Sequence, residues 1–410
     1  LRWLELNLFY LMISKILKIL IVFSIASCVS KSDKDYIENP TIIDFNNVEK
    51  TDELISIKAL LKNVEYLKLN TPDTVQITIA QKILEFQDKI LIHDKKKKVV
   101  FAFDQTGNYL GMVGNKGQGP GEFLEVTDVA VSDDLIFIYS RGDFKVFIFD
   151  DNLSFLKDFT TKKWGTQISI LSSGNLALYS FLIEGDDEYN IDIYDLEGNL
   201  LGKRMFVDRS GDYQAMDFSG FLDNNYFSYP LSSKIYRISE DHSKDSLVFE
   251  VLFPNQFPEK DFVNYTQYRR NSRNQADSNI LTKYQIGSNQ EFICYYGFRE
   301  GELNGYTLGV RLSSGQTFGH LNLIHGSLDK EEMDVYVKLF FIGPYNIPHF
   351  SKVSRTYLIA SNIESIGFYY NDIQESLPGL RVSDPELYNV LLGSDPEETI
   401  LMRFKLQDQL

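Results

Sequence analysis

Val99-Val100-Phe101-Ala102-Phe103-Asp104, followed by Gln105-Thr106-Gly107-Asn108, is the stretch that decides the fold. A run of β-branched and aromatic residues reads as a strand, and Asp, Gly and Asn directly after it read as a tight turn. The phrase returns. Val146-Phe147-Ile148-Phe149-Asp150 precedes Asp151-Asn152-Leu153, and Ile191-Asp192-Ile193-Tyr194-Asp195 precedes Leu196-Glu197-Gly198-Asn199. Ile235-Tyr236-Arg237-Ile238-Ser239 is a degenerate fourth copy. The copies are spaced 46, 45 and 44 residues apart. A period of about 40–50 residues is that of a four-stranded propeller blade. The repeated piece is the hairpin joining the third and fourth strands, with Asp and Asn bonded to turn backbone and Gly supplying positive φ.

Outward from these hairpins, strands and turns alternate through the chain. Blade one spans 77–113, blade two 126–160, blade three 167–207, blade four 213–252 and blade five 280–323. Two polar stretches of helical character, 258–276 and 329–338, interrupt the period. The sixth blade is expected to use a strand near Phe340, another at 357–361 and a last at 399–406, which leaves it one strand short. A spare alternating strand at 64–69 precedes blade one. The predicted fold is therefore an all-β, six-bladed β-propeller of four-stranded antiparallel blades with short helical insertions. The N-terminal strand closes the ring and removes an open sheet edge.

Composition agrees. The 410 residues carry 41 Lys+Arg against 57 Asp+Glu, a formal charge of −16, with 43% hydrophobic residues and 2 cysteines. That excludes a disordered chain and a disulfide scaffold. The acidic balance argues against nucleic acid as a partner, because phosphate contacts need a basic face.

The N-terminal segment reads as an address. Residues 1–11 look like upstream translation, and Met12 begins a signal peptide in which Lys15 and Lys18 precede an apolar run at 19–26. That run is too short to span a bilayer. Ile25-Ala26-Ser27-Cys28 resembles a bacterial lipobox. The expected organisation is upstream translation and signal peptide over 1–27, lipid anchor and tether over 28–40 and propeller over 41–410. Acylation of Cys28 implies the membrane as partner, because several acyl chains anchor stably where one does not. The expected location is the cell envelope, as an outer-membrane lipoprotein facing either the periplasm or the outside.

The string Gly114-Asn115-Lys116-Gly117-Gln118-Gly119-Pro120-Gly121-Glu122-Phe123, followed by a strand, resembles NHL-repeat propellers. More closely, the chain resembles the six-bladed β-propeller lipoproteins of Gram-negative gut bacteria. The resemblance rests on the lipobox, the spare strand, the segment 341–350 with its Gly-Pro and Ile-Pro pairs, and the strand 401–406. It departs at Asp395-Pro396-Glu397-Glu398, where members often carry Asp-Asn-Pro. It implies the fold and export, and leaves the activity open. Gly119, Pro120, Gly121, Glu122 and Phe123 read as a structural crossing between blades with Phe123 as a plug. A phosphate loop would need a following helix and a Lys-Ser/Thr pair.

No catalytic residue, metal ligand set or cofactor motif emerges. His320 and His325 are five apart, outside the spacing of a helical zinc pair. No nucleophile elbow occurs, and Cys294 sits within an aromatic strand. The acidic clusters Asp133-Asp134 and 184–188, and the tripeptide Arg141-Gly142-Asp143, read as turns. The candidate ligand-binding residues are Tyr265, Tyr268 and Arg269 on the first insertion, with Arg270 and Arg273 beside them, and Arg299 on a hairpin loop after the strand that carries Tyr295 and Tyr296. Aromatic platforms suit sugars and Arg suits carboxylates. The leading expectation is a monomeric envelope protein that binds a glycan, a peptide or a partner protein without catalysis. The alternatives are a polysaccharide lyase or hydrolase on the same scaffold, or a structural assembly module.

Overall fold

The computed structural model describes residues 39–410 except 47, 49–56, 181–188, 207–220, 224, 230–231, 240–244, 257–279, 301–302, 325–334, 342–346, 362 and 393–397. These residues belong to the compact unit Ile37–Leu410. They form six four-stranded antiparallel sheets arranged as a propeller.

Blade 1 is built, from the centre outward, by Ala80–Phe86, Lys89–Asp94, Val99–Asp104 and Tyr109–Met112. Blade 2 follows with Asp128–Val131, Ile136–Ser140, Lys145–Phe149 and Phe155–Thr160. Blade 3 uses Gln167–Ile170, Leu176–Tyr179, Tyr189–Tyr194 and Leu200–Phe206, and blade 4 uses Phe221–Asp223, Tyr226–Ser228, Lys234–Arg237 and Ser246–Leu252. Blade 5 is Ile280–Ile286, Phe292–Glu300, Leu303–Arg311 and Thr317–Ile324. Blade 6 takes His349–Ser351, Thr356–Ala360 and Ile400–Leu406 from the C-terminal part of the chain, and Leu61–Lys68 as its outer strand. The expected closure is thus present, with Tyr66 opposite Met402 and Lys68 opposite Ile400.

Each blade buries both faces against its neighbours, so the core is six inter-blade layers. Phe86, Leu91 and Val100 of blade 1 pack with Val129, Ile138 and Phe147 of blade 2. Across the closure, Ile83, Ile90 and Phe101 of blade 1 meet Leu358, Ala360 and Leu401 of blade 6. Strands buried on both faces read as continuous apolar runs, which is why the repeated phrase is Val-Val-Phe-Ala-Phe rather than strictly alternating.

The rim hairpins carry the chemistry read from sequence. Asp104 Oδ1 accepts hydrogen bonds from the Thr106 and Asn108 backbone N–H groups, both at 2.9 Å. Asp195 does the same for Glu197 (3.0 Å) and Asn199 (2.7 Å), and Asp150 for Asn152 (2.9 Å) and Ser154 (2.8 Å). Bonds from Thr106 and Asn108 hold the Asp104 carboxyl down at about 2. Three residues after each Asp the backbone turns left-handed, at Gly107 (φ 86), Leu153 (φ 63) and Gly198 (φ 85). Strand twist swings each hairpin onto the outer strand of the preceding blade. Gly107 lies so close to the closing strand that a Cβ would stand 2.4 Å from the Lys68 carbonyl oxygen.

Three features differ from the sequence reading. Residues Val335–Leu339 form a helix that runs into Phe340, so the first strand of blade 6 is His349–Ser351 and not a strand near Phe340. Phe340 is fully buried against the outer part of blade 6, which explains its strand-like apolar setting. Between the second and third strands of blade 6 lie the helices Ile363–Ser383 and Pro385–Leu391, which the strand pattern did not reveal. Thr41–Asp44 adds a fifth strand, parallel to Ser246–Leu252, on the outer edge of blade 4. From there Phe45 packs on Tyr296 of blade 5, so the chain straps blades 4 and 5 before it completes blade 6. Among the described residues, no helix is long and apolar enough to cross a membrane.

Candidate functional site

The inner strands start at one end of the ring, here the mouth, and the turns between second and third strands lie at the same end. An inner strand has one unpaired edge facing the axis, and its N–H and C=O groups need partners. Side chains from the adjoining blade supply them. Asp128 accepts from the Ile168 N–H at 2.8 Å, Gln167 from the Leu222 N–H at 2.8 Å, and Gln285 from the Phe350 N–H at 3.2 Å. His349 donates through Nε2 to the Gln81 carbonyl at 2.9 Å. Ser351 donates to Glu85 at 2.6 Å, and Glu85 accepts from Arg403 at 2.7 Å.

Four of the groups nearest the axis are ionisable. Lys82 of blade 1 bridges to Asp128 of blade 2 with Nζ 3.3 Å from both carboxylate oxygens. Lys283 of blade 5 faces them. Its charge is repelled by Lys95 of blade 1 and attracted by Asp128, and it in turn acts on His349 of blade 6. Blades 2 and 5 stand opposite each other in a six-membered ring, so Asp128 and Lys283 come from opposite sides of the axis. Lys283 and His349 are partly exposed although protein surrounds them on all sides, the situation of side chains lining a narrow channel. Lys283 makes no hydrogen bond or ion pair among the described residues.

Burial and the Lys95 charge, opposed by Asp128, lower Lys283 to about 8. Burial, with Lys82 and Lys283, lowers His349 to about 3, so the imidazole is neutral at ordinary pH. His93, in the second strand of blade 1, is lowered to about 4 chiefly by burial. At the mouth edge Lys95-Lys96-Lys97-Lys98 form one turn, ordered by Asp94, which accepts from the Lys96 and Lys97 N–H groups at 2.9 Å. Lys116 donates to the Lys97 carbonyl at 2.8 Å. Acids answer several of these cations: Lys98 pairs with Glu125, and Lys82 with Asp128. Nearby, Arg141 lies 4.4 Å over the Trp164 ring.

The residues singled out from sequence fall elsewhere. Tyr265, Tyr268, Arg269, Arg270 and Arg273 lie outside the described residues, as do Cys28, the acidic cluster 184–188 and His325. Arg299 is not on a loop but within the strand Phe292–Glu300, paired with Asn304 near its hairpin tip, because that strand runs on past Tyr296. In the Gly-rich crossing, Asn115–Lys116 pairs in parallel with Glu122–Phe123. Glu122 accepts from the Gly119 N–H at 2.8 Å, and Phe123 is buried between blades 1 and 2. Asp143 accepts from the Leu124 N–H at 2.8 Å and holds its turn. Cys294 is a buried free thiol whose ionisation is pushed up by burial. Among the described residues no group of three His, Cys, Asp or Glu side chains gathers as a metal site would.

Sequence reading did not single out Lys82, Asp128, Lys283 or His349. The usable signal was a lysine inside the first strand of a blade, in Ala80-Gln81-Lys82-Ile83 and Leu281-Thr282-Lys283-Tyr284. Such a position faces the axis and cannot be a solvated outer face.

The fold and this mouth define a six-bladed β-propeller with a polar channel. The chain belongs to the family described as Domain of unknown function (DUF4934), whose model matches residues 40–332. Among solved structures it is similar to a Bacteroides fragilis protein provisionally described as exported. The two share 18% identity, over 90% of this chain and 100% of that one, with a TM-score of 0.68. It is also similar to a member of the DUF4221 family from Bacteroides vulgatus, at 8% identity over 85% of this chain and 98% of that one, with a TM-score of 0.56. At these identities the likeness is one of fold. No curated protein matches the chain.

Proposed function

We propose that the chain is an exported, lipid-anchored, monomeric binding protein of the cell envelope. It holds its ligand at the channel mouth without turning it over. The observation that carries the reading is Lys283, a cation without a partner among the described residues, while Asp128, His349 and Ser351 on the neighbouring inner strands are hydrogen-bonded. A lysine held in that state is costly unless a ligand uses it. The carboxylates around it are engaged: Asp128 by Lys82 and the Ile168 N–H, Glu85 by Ser351 and Arg403, and Asp94 by its own turn. That speaks for holding a ligand rather than for acid–base chemistry, which needs a carboxyl free to exchange its proton. A glycan, a peptide or a surface of another envelope protein are the ligand classes that suit a propeller face.

The address at Met12 to Cys28 supports export and anchoring, and the similar Bacteroides fragilis structure carries an export description. Two assays test the proposal. The Cys28→Ala chain is expected to leave the membrane fraction of cells, whereas retention there contradicts the lipid anchor. The full chain in detergent is expected to retain a ligand from glycan and peptide arrays, and Lys283→Gln to lose it. Turnover of a retained compound, abolished by Asp128→Asn, contradicts the binding reading and assigns an enzyme.

A further inference from the structure

We infer that His93 is an acid switch: a proton taken up by its ring loosens the mouth-side junction of blades 1, 2 and 3. The role is separate from ligand binding and holds whether or not a ligand is met at the mouth. His93 is 1% exposed, and neither ring nitrogen has a hydrogen-bond partner among the described residues. It stands directly opposite Lys82 in the pairing of the first two strands of blade 1. Residues paired in this way share a face, so His93 lies on the face that Lys82 turns to blade 2. Lys82 is the tie at this junction. Its ammonium reaches Asp128 of blade 2 at 3.3 Å and the Ile168 carbonyl of blade 3 at 3.5 Å. Asp128 in turn accepts from the Ile168 N–H at 2.8 Å. One ion pair thus holds three blades.

A neutral imidazole has one donor to place, and an imidazolium has two. The groups that face His93 are Lys82 across the strand pair, Asp128 from blade 2, Asp94 beside it on its own strand and the Val126 carbonyl on the crossing to blade 2. The Val126 carbonyl makes no hydrogen bond to the ring. Asp94 is committed to the N–H groups of Thr78 at 2.6 Å and of Lys96 and Lys97 at 2.9 Å. A protonated ring is repelled by Lys82, and it is satisfied only by drawing Asp128 away from Lys82 and Ile168. Burial outweighs the pull of Asp128 and holds His93 down at about 4, whereas an unfolded histidine titrates near 6.5. The unfolded chain therefore takes up this proton first. The full contribution of the neutral ring to stability is present above about 6.5 and is lost as pH falls from there towards 4. His349 differs, because its ring is partly exposed and its Nε2–H already meets the Gln81 carbonyl.

The experiment compares the full chain in detergent with His93→Gln and His93→Leu, by urea denaturation and by backbone hydrogen exchange, at about pH 7.5 and about pH 5. Every other titrating group, His349 included, is common to the three chains, so the difference between their pH slopes belongs to His93. Between the two pH values the folded-to-unfolded ratio of the native sequence is expected to fall about thirtyfold further than that of either variant. The exchange protection of the Ile168 amide, corrected for the intrinsic effect of pH, is expected to drop about tenfold or more at the lower pH in the native sequence and to hold in the variants. Two variants are used because the polar and the apolar replacement fill the site differently, and one that folds suffices. Equal pH slopes in all three chains overturn the inference. A slope carried by His93 with protection lost evenly over all six blades also overturns it, since the proton then unfolds the whole ring and does not open one junction.

Discussion

At the rim, Asp104, Asp150 and Asp195 build the same turn three times, and each hairpin leans on the blade before it. At the mouth, the described turns and crossings differ from blade to blade. Blade 1 joins blade 2 through a Gly-rich crossing, blade 6 inserts two helices, and blade 1 turns on four lysines. The rim solves one problem repeatedly, which is closing a sheet against its neighbour. The mouth escapes that constraint and spends its residues on charge. Irregularity in a repeat protein is where a ligand site is to be sought, which is why the proposed binding site is the mouth.

Five substitutions break or sharpen this contrast, the largest expected effect on stability first. Phe123→Ala empties a fully buried site between blades 1 and 2, so the loss is expected to be about 3–5 kcal/mol in urea denaturation. This is the mouth residue that behaves as rim, and its loss should leave any residual folded protein able to bind. Gly107→Ala asks a side chain to take φ 86 and to stand against the Lys68 carbonyl, at an expected cost of about 1–3 kcal/mol. It loosens the closure between blades 6 and 1 without touching Lys82 or Lys283. In blade 2 the same slot holds Leu153 at φ 63, whose side chain packs on the core beneath it. Leu153→Gly should therefore gain little.

Asp384 tests the helical insertion of blade 6. Its carboxylate accepts from Tyr66 of the closing strand at 2.8 Å, from Tyr336 and from the Leu387 N–H, and pairs with Lys58 at 3.0 Å. Burial pushes this carboxyl up, but the hydrogen bonds from Tyr336, Leu387 and Tyr66 outweigh it and hold it below the usual carboxylate range. The folded value thus lies below the unfolded one, near 3.9. The contribution is complete above that unfolded value and fades as pH falls through the folded value, because the unfolded chain takes up the proton first. Asp384→Asn is expected to lower stability by about 1–3 kcal/mol at pH 7 and by less at pH 3. Equal losses at both pH values would contradict the assignment. The smallest effect belongs to Lys283→Gln. Removing an unpartnered, half-buried cation should leave the denaturation midpoint unchanged, within about 0.5 kcal/mol, or raise it, while ligand binding is lost.

The rim was legible in the sequence because its chemistry is local. Asp, Gly and Asn act on backbone within four residues, so the pattern survives on the page. The closing strand was legible because an alternating strand without a blade had one place to go. The helices Ile363–Ser383 and Pro385–Leu391 were not, because Ile363, Ile366, Phe368 and the aromatic pair Tyr369-Tyr370 also suit strands, and Pro378 and Gly379 look like a break. The mouth was not legible either. Lys283 and Asp128 are far apart in the chain and meet only because a closed ring sets blade 5 opposite blade 2. A lysine in a strand carries no sign of what faces it.

The most direct test of the account is a structure of the full chain crystallised with a ligand that it retains. The account predicts density for the ligand at the channel mouth, within hydrogen-bonding distance of Lys283 Nζ. Density for the ligand only away from the mouth, with Lys283 still unpartnered at saturating ligand, would contradict it.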